Sequence, residues 1–205
     1  MKILLIIFLV AVLVYLLFRR FFMPQKGTAG IINTTNRQGF LLIHTSPQVL
    51  GRVTKSTLWT VGTGFILFLL ILVLGLKIKI FWIALPLSFY LIAQLFVYTN
   101  HVKTVKNQRI YFDPQTSEVY VERLPGIGMD LHFNLLRDVI EITEVRSVQK
   151  NRGTLYGYYR LRLKNDILII PYLVEQHDHS GNKAFFASIN NNFKIEVEIK
   201  LFPII

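Results

Sequence analysis

Two apolar runs, Thr57 to Leu76 and Ile80 to Thr99, are separated only by Lys77-Ile78-Lys79. Each run is 20 residues without a formal charge, the length a helix needs to cross ~30 Å of hydrocarbon. Three intervening residues leave room only for a tight reversal, so the pair predicts a transmembrane helical hairpin over 57–99. A hairpin returns to the side from which it left. Whatever precedes Thr57 and whatever follows Thr99 is therefore expected in one compartment.

A further span is expected ahead of the hairpin. Ile3 to Phe18 is a run of 16 apolar residues, followed by Arg19-Arg20 and Phe21-Phe22-Met23-Pro24. A cleaved signal sequence carries its positive charge before the apolar run and small residues after it; here the arginines come after, and no small-residue site follows. The reading is a retained anchor over 1–23, with the arginines reaching toward headgroups and Pro24 ending the helix. A mean hydropathy of +0.44 fits a chain that turns much of its apolar surface to lipid.

The net charge of +11 would suggest nucleic acid if it were spread evenly. It is not. The ten basic residues up to Val105 stand without a single Asp or Glu, whereas from Lys106 on thirteen basic residues face all twelve acidic ones. The excess belongs to the membrane half, where Lys and Arg set topology, and no nucleic-acid partner is expected. Arg19, Arg20, Lys26, Arg37, Arg52 and Lys55 lie between the first span and the hairpin, against Lys2 at the start and Lys77 and Lys79 at the tip. The positive-inside rule then places the N-terminus outside and both the 24–56 linker and the C-terminal half in the cytoplasm. The absence of cysteine excludes disulfides, thiolate catalysis and cysteine-ligated metal.

Within the linker, Gln25 to Asn36 is rich in Gly, Thr and Asn and reads as loop. Gly39-Phe40-Leu41-Leu42-Ile43 is too short to span and reads as an interfacial segment, the alternative being a strand added to the later domain. Ser46-Pro47 is a helix-start signal, so the second helix is expected to begin a turn or more before Thr57. In the third span Pro86 is positioned to kink the helix, and Gln94 is a lone polar residue. No span carries an acidic residue, which argues against a proton- or cation-coupled transporter.

After Thr99 the long apolar runs give way to short alternating ones. Gln108 to Phe112 and Glu118 to Arg123 flank the turn residues Asp113-Pro114-Gln115-Thr116-Ser117 and predict a β-hairpin. Met129 to Phe133 reads as a short strand, and Val139 to Val148 as a longer one with a bulge. In Tyr156 to Leu163, Tyr159, Leu161 and Leu163 share one face and Arg160 and Arg162 the other, with Lys164 continuing that row. Asn165-Asp166 is a tight turn before a buried strand, Ile167 to Leu173. Lys183 to Asn192 reads as a helix with Phe185, Phe186 and Ile189 inward, and Ile195, Val197 and Ile199 alternate with charged residues as a last strand. The domain over 106–205 is thus expected to be a run of antiparallel strands with one helix, a small barrel or sandwich.

A transmembrane hairpin followed at once by R-I-Y-F-D (Arg109 to Asp113), V-I-E-I-T-E-V (Val139 to Val145), Y-Y-R-L-R-L-K-N-D-I-L-I-I (Tyr158 to Ile170) and F-F-A-S-I (Phe185 to Ile189) resembles the membrane-anchored bacterial PH-like proteins. The resemblance runs from Thr57 to Asn192. It implies a PH-like roll of seven strands capped by a helix, held against the cytoplasmic leaflet of a bacterial inner membrane; with the anchor over 1–23, the expected fold class is three membrane spans plus this β domain. It also implies binding rather than catalysis, with no cofactor. The chain departs from the pattern in its extra N-terminal span and in the alternating segment that follows the helix.

Two constellations remain. His177-Asp178-His179 would offer two imidazoles to a metal if it were a strand, but its polar, Gly-containing setting reads as a solvated loop, and no metal site is expected. His44, His101 and His132 stand isolated in the sequence. Arg160, Arg162 and Lys164, with Arg146, Lys150 and Arg152 on the preceding strand and its connection, would form one basic surface for anionic headgroups or an acidic partner; the other reading is a solvated sheet face neutralised by Glu141, Glu144 and Asp166. The expected function is a membrane-tethered binding or scaffolding protein that is not an enzyme, with the lipid bilayer and a protein partner or second copy as its contacts. The competing class is a component of a small-solute or ion transporter or channel.

Overall fold

The computed structural model describes residues 39–124, 126, 128–151 and 154–205, together with Tyr15. The expected first span, the 25–36 loop and the topology-setting Arg19, Arg20, Lys26 and Arg37 lie outside these residues; Arg52 and Lys55 lie exposed on the first helix described below.

Strand β1 (Leu41–Ile43) opens the described chain, and helix α1 (Pro47–Lys77) follows. The Ser-Pro signal acts as read: the Ser46 hydroxyl accepts the Val49 amide at 3.2 Å, and Pro47 sits in the first turn where its missing amide costs nothing. At the tip Ile78 is extended, which breaks the helix, and a 3₁₀ segment (Lys79–Ala84) turns the chain. Trp82 folds back there, its indole N–H donating to the Gly75 carbonyl at 3.0 Å.

Helix α2 (Leu85–Lys106) then returns. Pro86 lies in its first turn, so no mid-helix amide is lost and the kink expected from this proline has no cause. Both arms of the hairpin are long and apolar enough to cross a membrane. They pack closely at Gly64, where an added Cβ would stand 2.6 Å from Leu91 Cβ and 3.1 Å from the Ile92 amide; small residues let helix backbones approach in this way. Past Thr99, α2 continues for about two more turns and runs almost directly into the next strand.

That strand, β2 (Gln108–Asp113), is followed by β3 (Glu118–Arg123), β4 (Leu131–Asn134), a helical turn α3 (Leu135–Asp138), β5 (Val139–Asn151), β6 (Thr154–Leu163), β7 (Ile167–Pro171), a second turn α4 (Tyr172–Glu175), helix α5 (Ser180–Asn192) and β8 (Ile195–Lys200). They form two four-stranded sheets, ordered β1-β2-β3-β4 and β7-β6-β5-β8; neither closes into a barrel among the described residues. The predicted β-hairpin, the short strand, the long strand and the helix over 183–192 are all present. The long strand has two register irregularities, between Val139 and Glu141 and between Arg146 and Lys150.

Three expectations are corrected. Residues 41–43 are not an interfacial segment: β1 pairs antiparallel with β2, Leu41 opposite Phe112 and Ile43 opposite Ile110. The β domain therefore begins before the hairpin, which is inserted between two paired strands, and that pairing brings both ends of the hairpin to one side. Second, β8 pairs with β5 in parallel, because α5 carries the chain across before it enters the sheet. Third, the strand over 167–173 ends at Pro171, and Tyr172 and Leu173 continue in a helical turn.

One apolar core joins the two sheets: Ile43, Ile110, Phe112, Val119 and Val121 from the first meet Ile142, Leu161, Leu168 and Ile170 from the second, and α5 closes it with Phe185, Phe186 and Ile189.

Candidate functional site

The β domain is docked on the hairpin rather than hung from it. Buried Val49 and Val53 of α1 and Val97 of α2 pack against Tyr156 of β6 and Leu173 of α4. The Tyr156 and Thr57 hydroxyls are hydrogen-bonded to each other, and burial pushes the Tyr156 phenol well above its ordinary pKa, so it stays neutral. Thr45 donates to the Leu173 carbonyl at 2.6 Å. His101 of α2, fully buried, holds the Pro203 carbonyl at 2.7 Å through Nε2. Asn100 clasps Ile205 twice, accepting its amide at 2.7 Å and donating to its carbonyl at 3.1 Å.

This docking leaves a groove of about 770 Å³ where α1, α2 and the edge of the first sheet meet, lined by Leu42, His44, Leu50, Val105, Lys106 and Arg109 among others. Its charged lining is basic, with no carboxylate among the lining residues. Tyr111, also at the wall, donates to Glu122 at 3.2 Å, and burial, then the Glu122 carboxylate, raises its pKa. The combination is a mostly apolar cleft with a cationic rim, the general character of a binding pocket.

At one end of the groove three imidazoles gather. His44 lies 4.8 Å from His177 and 5.1 Å from His179, ring centre to ring centre, and His177 lies 5.6 Å from His179. His177-Asp178-His179 is not a strand but the approach to α5, with His179 at the N-cap accepting the Gly181 amide. Backbone groups hold Nδ1 of each ring: Leu42 carbonyl for His44, His44 carbonyl for His177, Gly181 amide for His179. Among the described residues no His, Cys, Asp or Glu group is arranged to hold a metal ion. The His44 pKa is lowered, chiefly by burial and further by His177 and His179, against the Leu42 carbonyl that raises it. Asp178 pairs with Lys183 at 2.6 Å, and that hydrogen bond holds its carboxyl below the usual range. Sequence reading missed His44 and the residue that sets the cluster, Asn182, whose amide donates to the His44, Val174 and His177 carbonyls at 2.8, 2.7 and 3.2 Å. No local signal could have found a partner 138 residues away.

The basic residues are not one surface. Arg160 pairs with Thr143 and Arg146 with Gly157; along β5, positions 143 and 146 point to opposite faces, so Arg146 turns away from Arg160 and Arg162. Lys150 is opposite Leu155, five residues and ~16 Å of strand from Arg160. Arg152 lies outside the described residues. Most have acidic partners: Arg146 with Glu144 at 3.8 Å, Arg160 with Glu198 at 3.6 Å, Arg162 with Glu141 at 3.2 Å and Lys164 with Asp138 at 4.0 Å. The row on β6 is thus a neutralised sheet face. His132 likewise lies exposed beside Glu118, at 2.9 Å.

Comparison with known protein families, with curated proteins and with solved structures finds no match.

Proposed function

We propose that this chain is a membrane-tethered binding protein of the bacterial inner membrane. Its hairpin crosses the bilayer, and its PH-like domain faces the cytoplasmic leaflet. The groove beside His44, Lys106 and Arg109 engages a protein partner, as part of a larger assembly, or anionic headgroups. The observation that carries this reading is the place of the groove: it opens where the two apolar helices meet the β domain, and its charged lining is only basic. The succession of four strands, three strands and a packed helix supports the PH-like assignment, with β8 as an addition. Basic groups at such a height each gain about 1 kcal/mol from an anionic leaflet, too little to act alone, which is why the apolar lining matters.

The deciding experiment is co-purification of the full chain from its native membrane in mild detergent, compared with Leu42→Trp, which fills the groove from an exposed position. Partners or anionic lipid retained by the parent and lost from the variant support the reading. A homo-oligomer that carries ion flux in vesicles would overturn it in favour of a channel.

A further inference from the structure

The pairing of the second sheet with the hairpin sets the height of each strand end. Gln108, just past the end of α2, donates to the Ile169 carbonyl at 2.7 Å, and Ile169 is opposite Arg160. Four residues further back on β6, Tyr156 meets Thr57, the first residue of the apolar run, with the His101 ring 5.5 Å away. From Arg160 to Tyr156, then, β6 descends from the end of α2 to the start of the apolar zone. β5 is antiparallel to β6 and β8 parallel to β5, so β8 also descends, and its last residues arrive at that zone.

What arrives is apolar and exposed. Val197, Ile199 and Leu201 recur at every second residue, and Ile199 and Leu201 are 61% and 56% exposed, as is Ile204 at 54%. By register Val197 and Ile199 share a face with Glu144 and Arg146, opposite the face of Tyr156 that the helices cover. The segment is held in place: Phe202 packs its ring 5.3 Å from that of Tyr90, and His101 and Asn100 fix Pro203 and Ile205. Tyr90 is eleven residues before His101, ~16 Å deeper along α2.

We propose that residues 197–205 form a second membrane-contact element, lying in the headgroup boundary beside α2, with Phe202 as its deepest side chain. The occupant is lipid. The end of the segment adjoins α2 at Asn100 and His101, one turn from Phe96, which that helix exposes. Lys150, exposed and three residues beyond the Ser147–Lys200 pair, supplies a cation on the same sheet end. Glu198, within the segment, pairs with Lys200 at 3.2 Å and with Arg160 at 3.6 Å, so its charge is met inside the sheet while the apolar side chains and Lys150 face the headgroups, as in interfacial segments. The β domain is thereby held to the bilayer at two places, so that the groove keeps a constant tilt to the leaflet. This inference rests on the reading that the hairpin spans.

The chain has no cysteine, so single cysteines report without background. Leu201→Cys, Ile204→Cys, Ile66→Cys on the outward face of the hairpin and Lys164→Cys at the far end of the sheet are labelled with an environment-sensitive fluorophore. The full chain is reconstituted in phosphatidylcholine/phosphatidylglycerol vesicles with nitroxide lipids quenching at shallow or deep positions. Positions 201 and 204 should be quenched mainly by the shallow nitroxide, at least twofold more than 164, and position 66 mainly by the deep one. If 201 and 204 behave like 164 while 66 is quenched, the inference is overturned and the spanning hairpin stands. If 66 is not quenched, the hairpin reading fails and this inference with it. If 204 escapes quenching and oxidation links two copies through it, a second copy covers the segment and the lipid assignment is overturned.

Discussion

The hydroxyl of Tyr156 on β6 is hydrogen-bonded to the hydroxyl of Thr57 on α1, 99 residues earlier in the chain. It is the point at which the β domain meets the beginning of the first apolar run, and Tyr156 is among the largest fully buried side chains. Removing only the hydroxyl, in Tyr156→Phe, keeps the packing and should cost about 1 kcal/mol. Tyr156→Ala should cost about 3–5 kcal/mol by opening a cavity between helices and sheet. Chemical unfolding in detergent, followed by the fluorescence of Trp59 and Trp82, measures both, and equal losses from the two variants would refute the packing role.

The close approach of the two hairpin helices is made at Gly64. At Gly64 any Cβ meets Leu91 and the backbone of α2, whereas at Gly62 nothing lies within 4 Å. Gly64→Val should therefore push the helices apart and lose about 1–3 kcal/mol. Gly62→Ala should be neutral or gain up to ~1 kcal/mol from helix propensity. Unfolding midpoints of the two variants, compared with the parent, should move in opposite directions or differ by at least the first amount.

Asn182 ties β1 to the approach of α5 through four hydrogen bonds, one of them accepted from the His44 amide at 3.2 Å. Asn182→Ala takes the acceptor from the His44 amide and one donor from each of three carbonyls, at about 1–3 kcal/mol, and should raise hydrogen exchange at residues 41–45 more than in β5 or β6.

The same junction predicts a pH dependence. The pKa of His44 is lowered in the fold, so below the unfolded value of about 6.5 the unfolded chain binds more protons than the folded one. Stability contributed by neutral His44 is then present above that pH and declines as the pH falls through the window beneath it. His44→Gln should flatten the stability-versus-pH curve in the range below about pH 6.5, as chemical unfolding repeated across that range would measure.

The ion pairs on β6 are surface pairs, with the Arg162 side chain 62% exposed, and such pairs contribute roughly 0–1 kcal/mol. A double-mutant cycle on Arg162 and Glu141 should give a coupling within that range and diminish in salt. Coupling far above it would mean that this end of the sheet is buried by something else.

Local features carried most of the fold into view. The hairpin, the strands around Asp113 to Ser117, the long irregular β5 and the inward face of α5 all follow from periods of 3.6 or 2 and from turn residues, which act over a few positions. The candidate site was less legible. The reading of one basic surface grouped Arg146 with Arg160 on the ground that their strands are neighbours; they are, but the register of β5 against β6 places the two side chains on opposite faces. His177 and His179 were noticed, but their neighbour His44 was not, since β1 reaches them only after the hairpin has gone out and returned.

By itself, then, the sequence determined that two uncharged 20-residue runs must pair as a hairpin and that a β domain follows them, because span length and side-chain alternation are properties of a segment alone. Only the tertiary structure decided that the β domain starts before the hairpin, that β8 descends in parallel to the foot of α2, and that Tyr156, His101 and Asn182 are the residues joining the parts. Those outcomes depend on register and on contacts across a hundred residues, which are selected by the burial of the whole core and not by the local pattern of any strand.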